Sequence, residues 1–316
     1  MEKAREATAT RLAYGKTLLA LGKENPDVVV LDADLSVSTK TSLFAKEFPD
    51  RFFDCGIAEQ NMMGIAAGLA ASGKVAFAST FAVFATARCF DQLRVSIAQP
   101  SLNVKVAATH GGISVGEDGS SHHAVEDLAL ACSLPNFRVV VPADAIEVDQ
   151  VIRLAAATPG PFYIRLHRPK TSLVYDDDYQ FVLGKAVIMR EGSDATIIAT
   201  GLMVARALEA AENLSRQGIN CRVVSIPTLK PLDEEAVIRA AADTGAIVTA
   251  EEHLEQGGLG SRVAQVVVQH CPVPMAFVAI KDIYAKSGKF EELFQRYGLS
   301  AVDIEKAVHS TVLKKG

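Results

Sequence analysis

The stretch Asp54-Cys55-Gly56-Ile57-Ala58-Glu59-Gln60-Asn61, continued by Met62-Met63-Gly64-Ile65-Ala66-Ala67-Gly68-Leu69, puts one carboxylate at the mouth of a helix otherwise made of small and apolar residues. Such a helix reads as buried almost all round, and an acid there is costly unless it has a dedicated partner. Two readings of Glu59 stand side by side. In a first turn it interacts favourably with the helix dipole and stays partly solvated. Alternatively its carboxyl group faces a cofactor and burial holds it partly neutral, as catalytic carboxyl groups often are.

Outward from this stretch, short β-branched runs alternate with amphipathic or Ala-rich helical patterns, which predicts parallel sheets covered by helices on both faces, an α/β fold. Strands are expected at 28–31, 75–78, 104–108, 138–141 and 162–165, with helices at 11–24, 59–72, 81–98, 125–132 and 145–157. Asp144 and Glu147 form an Asp-x-x-Glu capping pattern after Pro142, and Thr158-Pro159-Gly160 stops that helix. Periodicity lapses between about 169 and 192, where Tyr175-Asp176-Asp177-Asp178-Tyr179 reads as an exposed linker or edge segment. A second alternation follows, with strands at 195–200, 221–225, 246–250 and 275–279 and helices at 202–217, 233–242, 260–270, 289–297 and 301–313. A length of 316 residues suits two domains, drawn at 1–185 and 186–316.

The chain carries a net charge of −5 with no basic stripe, which argues against nucleic acid as a partner. Its five cysteines are scattered, with no C-x-x-C pair, so neither a disulfide framework nor a zinc site is indicated and a reducing cytoplasm fits. The opening Met-Glu-Lys-Ala-Arg-Glu is too charged to begin a secretory signal. No apolar run reaches the ~18 residues of a membrane helix, so no membrane association is expected.

The other informative stretch is His110-Gly111-Gly112-Ile113-Ser114-Val115-Gly116-Glu117-Asp118-Gly119-Ser120-Ser121-His122-His123, which holds three of the seven histidines. Directly after an expected strand, it lies at the carboxyl end of the sheet, where open α/β sheets bind ligands. Its glycines let backbone approach a ligand, and its imidazoles and Asp118 offer proton-transfer and hydrogen-bonding groups. A flexible His-rich surface loop remains the alternative. Metal binding is disfavoured, because adjacent His122 and His123 point apart and no set of three or four ligands accompanies them.

The order Ala33-Asp34-Leu35-Ser36, Gly56-Ile57-Ala58-Glu59-Gln60, Thr80-Phe81, Thr109-His110 and Gly116-Glu117-Asp118-Gly119 resembles the C-terminal half of transketolase, over essentially the whole chain. The resemblance implies a pyrimidine-binding domain of the thiamine diphosphate-binding fold, followed by a smaller transketolase C-terminal α/β domain. It also implies that thiamine diphosphate and Mg2+ are held mainly by a separate N-terminal subunit, because the Gly-Asp-Gly segment that serves the diphosphate in that family is absent from this sequence. It further implies self-association into a dimer of heterodimers.

Carried over position by position, the resemblance makes Glu59 the partner of the cofactor's aminopyrimidine ring nitrogen and places Asp34, Phe81 and Phe84 around the cofactor. Phe81 and Phe84, three apart, are expected on one helix face, with core packing as the plain alternative. Where relatives place a third aromatic, this chain has Ala87. His110, with Glu59, is a catalytic candidate. His110, Asp118, His122, Arg11, Ser38 and Arg168 match positions that contact a sugar phosphate, and arginine suits phosphate because its planar fork donates two bonds. By themselves Arg11 reads as a solvated helix charge and Arg168 as a strand-end residue. Glu251-Glu252-His253 and Gly257-Gly258-Leu259-Gly260 lack the Gly-x-Gly-x-x-Gly spacing of a nucleotide site and receive no catalytic role. The implied activity is transfer of a two-carbon ketol unit between sugar phosphates. The β subunit of a 2-oxo acid dehydrogenase, a deoxyxylulose-phosphate synthase and a non-catalytic assembly subunit are the alternatives.

Overall fold

The computed structural model describes residues 7–315, so the charged hexapeptide 1–6 and residue 316 lie outside the described residues. Seven strands form the first sheet in the order Thr228–Lys230, Arg138–Val140, Phe162–Arg165, Val104–Thr109, Val75–Phe81, Val28–Asp32 and Phe52–Asp54. All neighbouring pairs are parallel except Thr228–Lys230, which runs antiparallel to Arg138–Val140. Burial follows: Val28–Asp32, Val75–Phe81 and Val104–Thr109 are buried at every position, as a parallel strand covered on both faces must be. The second sheet orders Met275–Ile280, Ile247–Leu254, Ala195–Ala199, Cys221–Ser225 and Val187–Arg190, with only the last antiparallel.

The α/β alternation is therefore as the residue pattern predicts, but the edge strands Phe52–Asp54 and Val187–Arg190 were not foreseen, and three further corrections apply. The strand Thr228–Lys230 belongs to the second half of the chain in sequence but extends the sheet of the first, and Val141 donates to the Pro227 carbonyl beside it at 2.8 Å. The expected helix over 81–98 is present from residue 82, after a strand that continues to Phe81, but is wound largely as two π-helical stretches, Phe84–Arg88 and Gln92–Ala98. A wider i→i+5 turn leaves no trace in a pattern counted at 3.6 residues per turn. The helix Glu59–Ala71 is not buried all round. Met62, Met63, Ala66, Ala67 and Ala70 face the core, whereas Gln60, Asn61, Gly64, Ile65 and Gly68 are exposed.

The segment read as an exposed linker is pinned. Asp176, Asp177 and Asp178 are exposed, but Tyr175 and Tyr179 are buried and stacked with ring centroids 3.8 Å apart. Tyr175 Oη donates to Ser225 Oγ at 2.9 Å, and Tyr179 Oη to Glu147 Oε1 at 2.5 Å. Asp144 caps the helix Ala145–Ala157 with Oδ1, as its pattern predicts, and holds the Val174 and Tyr175 amides with Oδ2. Glu147, however, accepts from the Ala143 amide at 2.7 Å and not from its cap residue, so the capping pair is not reciprocal.

Burial pushes the Glu147 carboxyl up to about 7, against the hydrogen bonds from Tyr179 and Ala143 and with a further push from Asp144. The folded chain thus holds a proton that the unfolded chain releases near 4.5, so this group's contribution to stability is present at low pH and is lost as pH rises through 7. Between pH 4.5 and 8 the loss amounts to roughly 2–3 kcal/mol. Urea unfolding of Glu147→Gln is expected to show a correspondingly flatter pH dependence than the native chain; equal slopes for the two proteins would refute this assignment.

Candidate active site

The residues singled out by sequence converge at the carboxyl ends of the first sheet's strands. Phe81 closes Val75–Phe81, His110 follows Val104–Thr109, Arg168 follows Phe162–Arg165, the loop with Asp34 and Ser38 follows Val28–Asp32, and Glu59 follows Phe52–Asp54. Buried Asp32 ties that second loop down. Its carboxylate accepts from the Leu35 amide at 2.7 Å and from the Thr39 and Thr41 hydroxyls at 2.7 and 2.8 Å, a role the sequence did not disclose.

At one end stands Glu59, only 2% exposed. The partner its burial demands within this chain is Arg88, whose Nη1 lies 2.8 Å from both carboxylate oxygens. Sequence reasoning missed Arg88, because only the wide turn Phe84–Arg88 brings it to face Glu59. The guanidinium also lies over the Phe84 ring, 4.3 Å from its centroid. Phe84 and Phe81 stack at 6.0 Å and 14°, across a strand end and a helical turn and not on one helix face. Phe81 in turn stacks on His110 at 3.8 Å, and the His122 ring meets Phe84 edge-on at 5.3 Å.

At the other end lie the cations. Arg11, on the helix Thr10–Glu24, donates to the Ser38 carbonyl at 2.8 Å and to the Arg168 carbonyl at 3.3 Å. Arg168 donates to the Val115 carbonyl and stands 3.3 Å from Glu117 and 3.8 Å from Asp118. Burial, and then the charge of Arg168, lower the Arg11 pKa: two guanidinium groups share this end of the site. His110 is pushed down to about 3 by burial and then by Arg11, Arg168, His122 and Lys40, so it is a neutral imidazole at physiological pH, hydrogen-bonded through Nδ1 to Thr109 Oγ1 at 2.8 Å. Lys40 is a further cation the sequence reading did not name; its signal was its place two residues after Ser38. Glu59, Arg88, Phe84, Phe81 and His110 thus form a continuous line, and Arg11 and Arg168 act on its His110 end through their charge. Asp34 is exposed, its amide held by Asp54 Oδ1 at 3.1 Å, and among the described contacts nothing joins its side chain to this line.

The loop that carries His110 rests on buried charge contributed partly by the second half of the chain. Glu252 Oε1 accepts from the Ser114 amide at 2.5 Å, and a side chain on Gly112, at φ 78°, would collide with the Glu252 carboxyl group. Arg165 pairs with Asp127 at 3.0 Å and donates to the Glu252 and Ala124 carbonyls at 2.9 and 2.8 Å. Neighbouring Glu251 accepts from the Leu259 and Gly260 amides, both at 2.7 Å. The glycine-rich helix start that invited comparison with a nucleotide site therefore has its amides occupied by the protein's own carboxylate.

The family model of the transketolase pyrimidine-binding domain matches residues 6–172, and that of the transketolase C-terminal domain matches 184–304. The chain belongs to the transketolase family. A putative transketolase C-terminal section of Methanocaldococcus jannaschii is 46% identical over 308 residues, 96% of each chain. A 6-deoxy-6-sulfo-D-fructose transketolase subunit of a Clostridium species is 41% identical over 96% of this chain and 95% of its own. A solved structure described as a split-gene transketolase in an inactive β4 tetramer superposes with a TM-score of 0.92 at 52% identity, covering 98% of this chain and all of that one. Thiamine diphosphate is the cofactor of this family, and in this chain the pyrimidine-binding domain precedes the C-terminal domain. Among the described residues no helix is long and apolar enough to cross a membrane.

Proposed function

We propose that the chain is the C-terminal subunit of a split transketolase, organised as 1–185 and 186–316, which transfers a two-carbon ketol unit from a ketose phosphate to an aldose phosphate together with an N-terminal partner subunit. One observation carries this: a buried carboxylate and an aromatic wall at one end of a continuous site, and two arginines around a neutral histidine at the other. The first end fits the pyrimidine of thiamine diphosphate, because the space between Glu59 and Phe84 already admits a flat, nitrogen-bearing donor, the Arg88 guanidinium. When bound, thiamine diphosphate supplies the carbanion chemistry of ketol transfer.

Glu59 would hold a ring nitrogen by a charge-assisted hydrogen bond, with Phe81 and Phe84 flanking the ring and Asp34 at the rim. Neutral His110 would donate or accept hydrogen bonds to donor hydroxyls without adding charge, with Asp118 and His122 beside it. Arg11 and Arg168, with the Ser38 loop, would bind the phosphate. Mg2+ and the diphosphate would be held mainly by the partner. Exposed Val37, Phe53, Ile57, Ile65 and Val95 lie on the elements around Glu59 and suit a face covered by other chains, in a dimer of heterodimers. A cytoplasmic setting accords with the free cysteines.

The paired arginines favour this over a 2-oxo acid dehydrogenase β subunit, which would share Glu59 but has no need of a phosphate clamp. Reconstitution with the N-terminal partner, thiamine diphosphate and Mg2+, assayed with a pentose phosphate pair, tests the reading, and its absence of ketol transfer would sink it. In that complex Arg11→Gln is expected to raise KM for the sugar phosphate about tenfold with little change in kcat, since the clamp contributes mainly uniform binding. An unchanged KM would remove Arg11 from the clamp.

A further inference from the structure

Arg88 already satisfies both groups that face the pyrimidine end of the site. Its Nη1 reaches the two oxygens of Glu59 at 2.8 Å, and its guanidinium lies over Phe84 at 4.3 Å. Its own carbonyl accepts from Gln60 Nε2 at 3.0 Å, which anchors the backbone of the turn to the Glu59 helix. The two partners differ in freedom. The Glu59 side chain is 2% exposed and has nowhere to go, whereas that of Arg88 is 46% exposed and can turn outward to water about its flexible stem. A planar cation that donates to a carboxylate while stacked on a phenyl ring offers the same two contacts as an aminopyrimidine that donates to Glu59 and lies against Phe84.

We propose that Arg88 is a displaceable stand-in for the cofactor's pyrimidine. Resting on the ketol-transfer reading above, the inference is that Arg88 neutralises Glu59 while the site is empty of cofactor and must swing outward before the ring can reach the carboxylate. The cation thereby keeps a buried charge paired in the free subunit, which would otherwise be costly. Cofactor binding then becomes a competition, and its apparent affinity is lowered by the share of molecules in which Arg88 sits on Glu59.

The test is calorimetric titration of thiamine diphosphate, with Mg2+ present, into the reconstituted complex carrying native or Arg88→Met C-terminal subunits. Arg88→Met is expected to bind about tenfold more tightly, since the competing ion pair and ring contact are gone. Should Arg88→Met not assemble, Arg88→Gln, which keeps a flat polar end without the charge, carries the same expectation. Binding by the native complex with equal or weaker affinity in the variants overturns the stand-in role alone. Absence of binding by a correctly assembled native complex overturns the transketolase reading and the stand-in with it.

Discussion

Glu59→Gln is expected to lower ketol transfer by the reconstituted complex about a thousandfold while leaving the fold intact. Glutamine keeps the size of the side chain and an oxygen acceptor, but it cannot carry the charge or exchange a proton with a ring nitrogen, and loss of a positioned proton-transfer partner typically removes two to four orders of magnitude. Stability should hardly change. The side chain sits in a first turn, and its protein partner is a nearly half-exposed arginine that water can serve in its place. Steady-state kinetics and a urea titration on the same preparations separate the two effects. Full activity in Glu59→Gln would remove Glu59 from the chemistry, whereas joint loss of activity and stability would recast it as a structural charge.

The second large effect is expected in stability. Arg165 is 1% exposed at the end of Phe162–Arg165, and Arg165→Met should cost about 3–5 kcal/mol, the usual consequence of removing one partner from a buried ion pair. Among the described residues Asp127 would keep the Tyr163 hydroxyl, at 2.7 Å, as its side-chain donor, and the Ala124 and Glu252 carbonyls would each lose a donor. His110 should be affected as well, because Gly111 packs directly on the Arg165 side chain and the loop begins there. Adding Asp127→Asn should recover part of the loss, since two neutral residues leave less uncompensated charge than one bare carboxylate. Urea midpoints for the single and double variants decide the matter: a cost below about 1 kcal/mol in Arg165→Met would mean that water, and not Arg165, answers Asp127.

Several site residues were legible before any fold was known. Glu59 stood out because an acid in an apolar helix is locally anomalous, and His110 because a glycine-rich, histidine-rich loop follows a strand. Arg11, Ser38 and Arg168 were illegible as chemistry by themselves. Each resembles an ordinary surface or strand-end residue, and only the family resemblance grouped them; the fold then brings Arg11 against the carbonyls of Ser38 and Arg168. Arg88 escaped because an isolated basic residue carries no local signature of its partner. Tyr175 and Tyr179 were hidden by the acidic run between them.

The sequence by itself determined the α/β alternation, the family, and the candidate residues at the carboxyl ends of the strands. All of these reside in periodicity, start and stop signals, or short motifs, which are properties of neighbouring residues. Only the tertiary structure decided that Arg88 closes on Glu59, that Thr228–Lys230 completes the first sheet, and that Glu252 supports the loop of Ser114 from 138 residues away. Those contacts are made by the packing of remote segments, where the need to pair buried charge and fill space selects partners that no local pattern names.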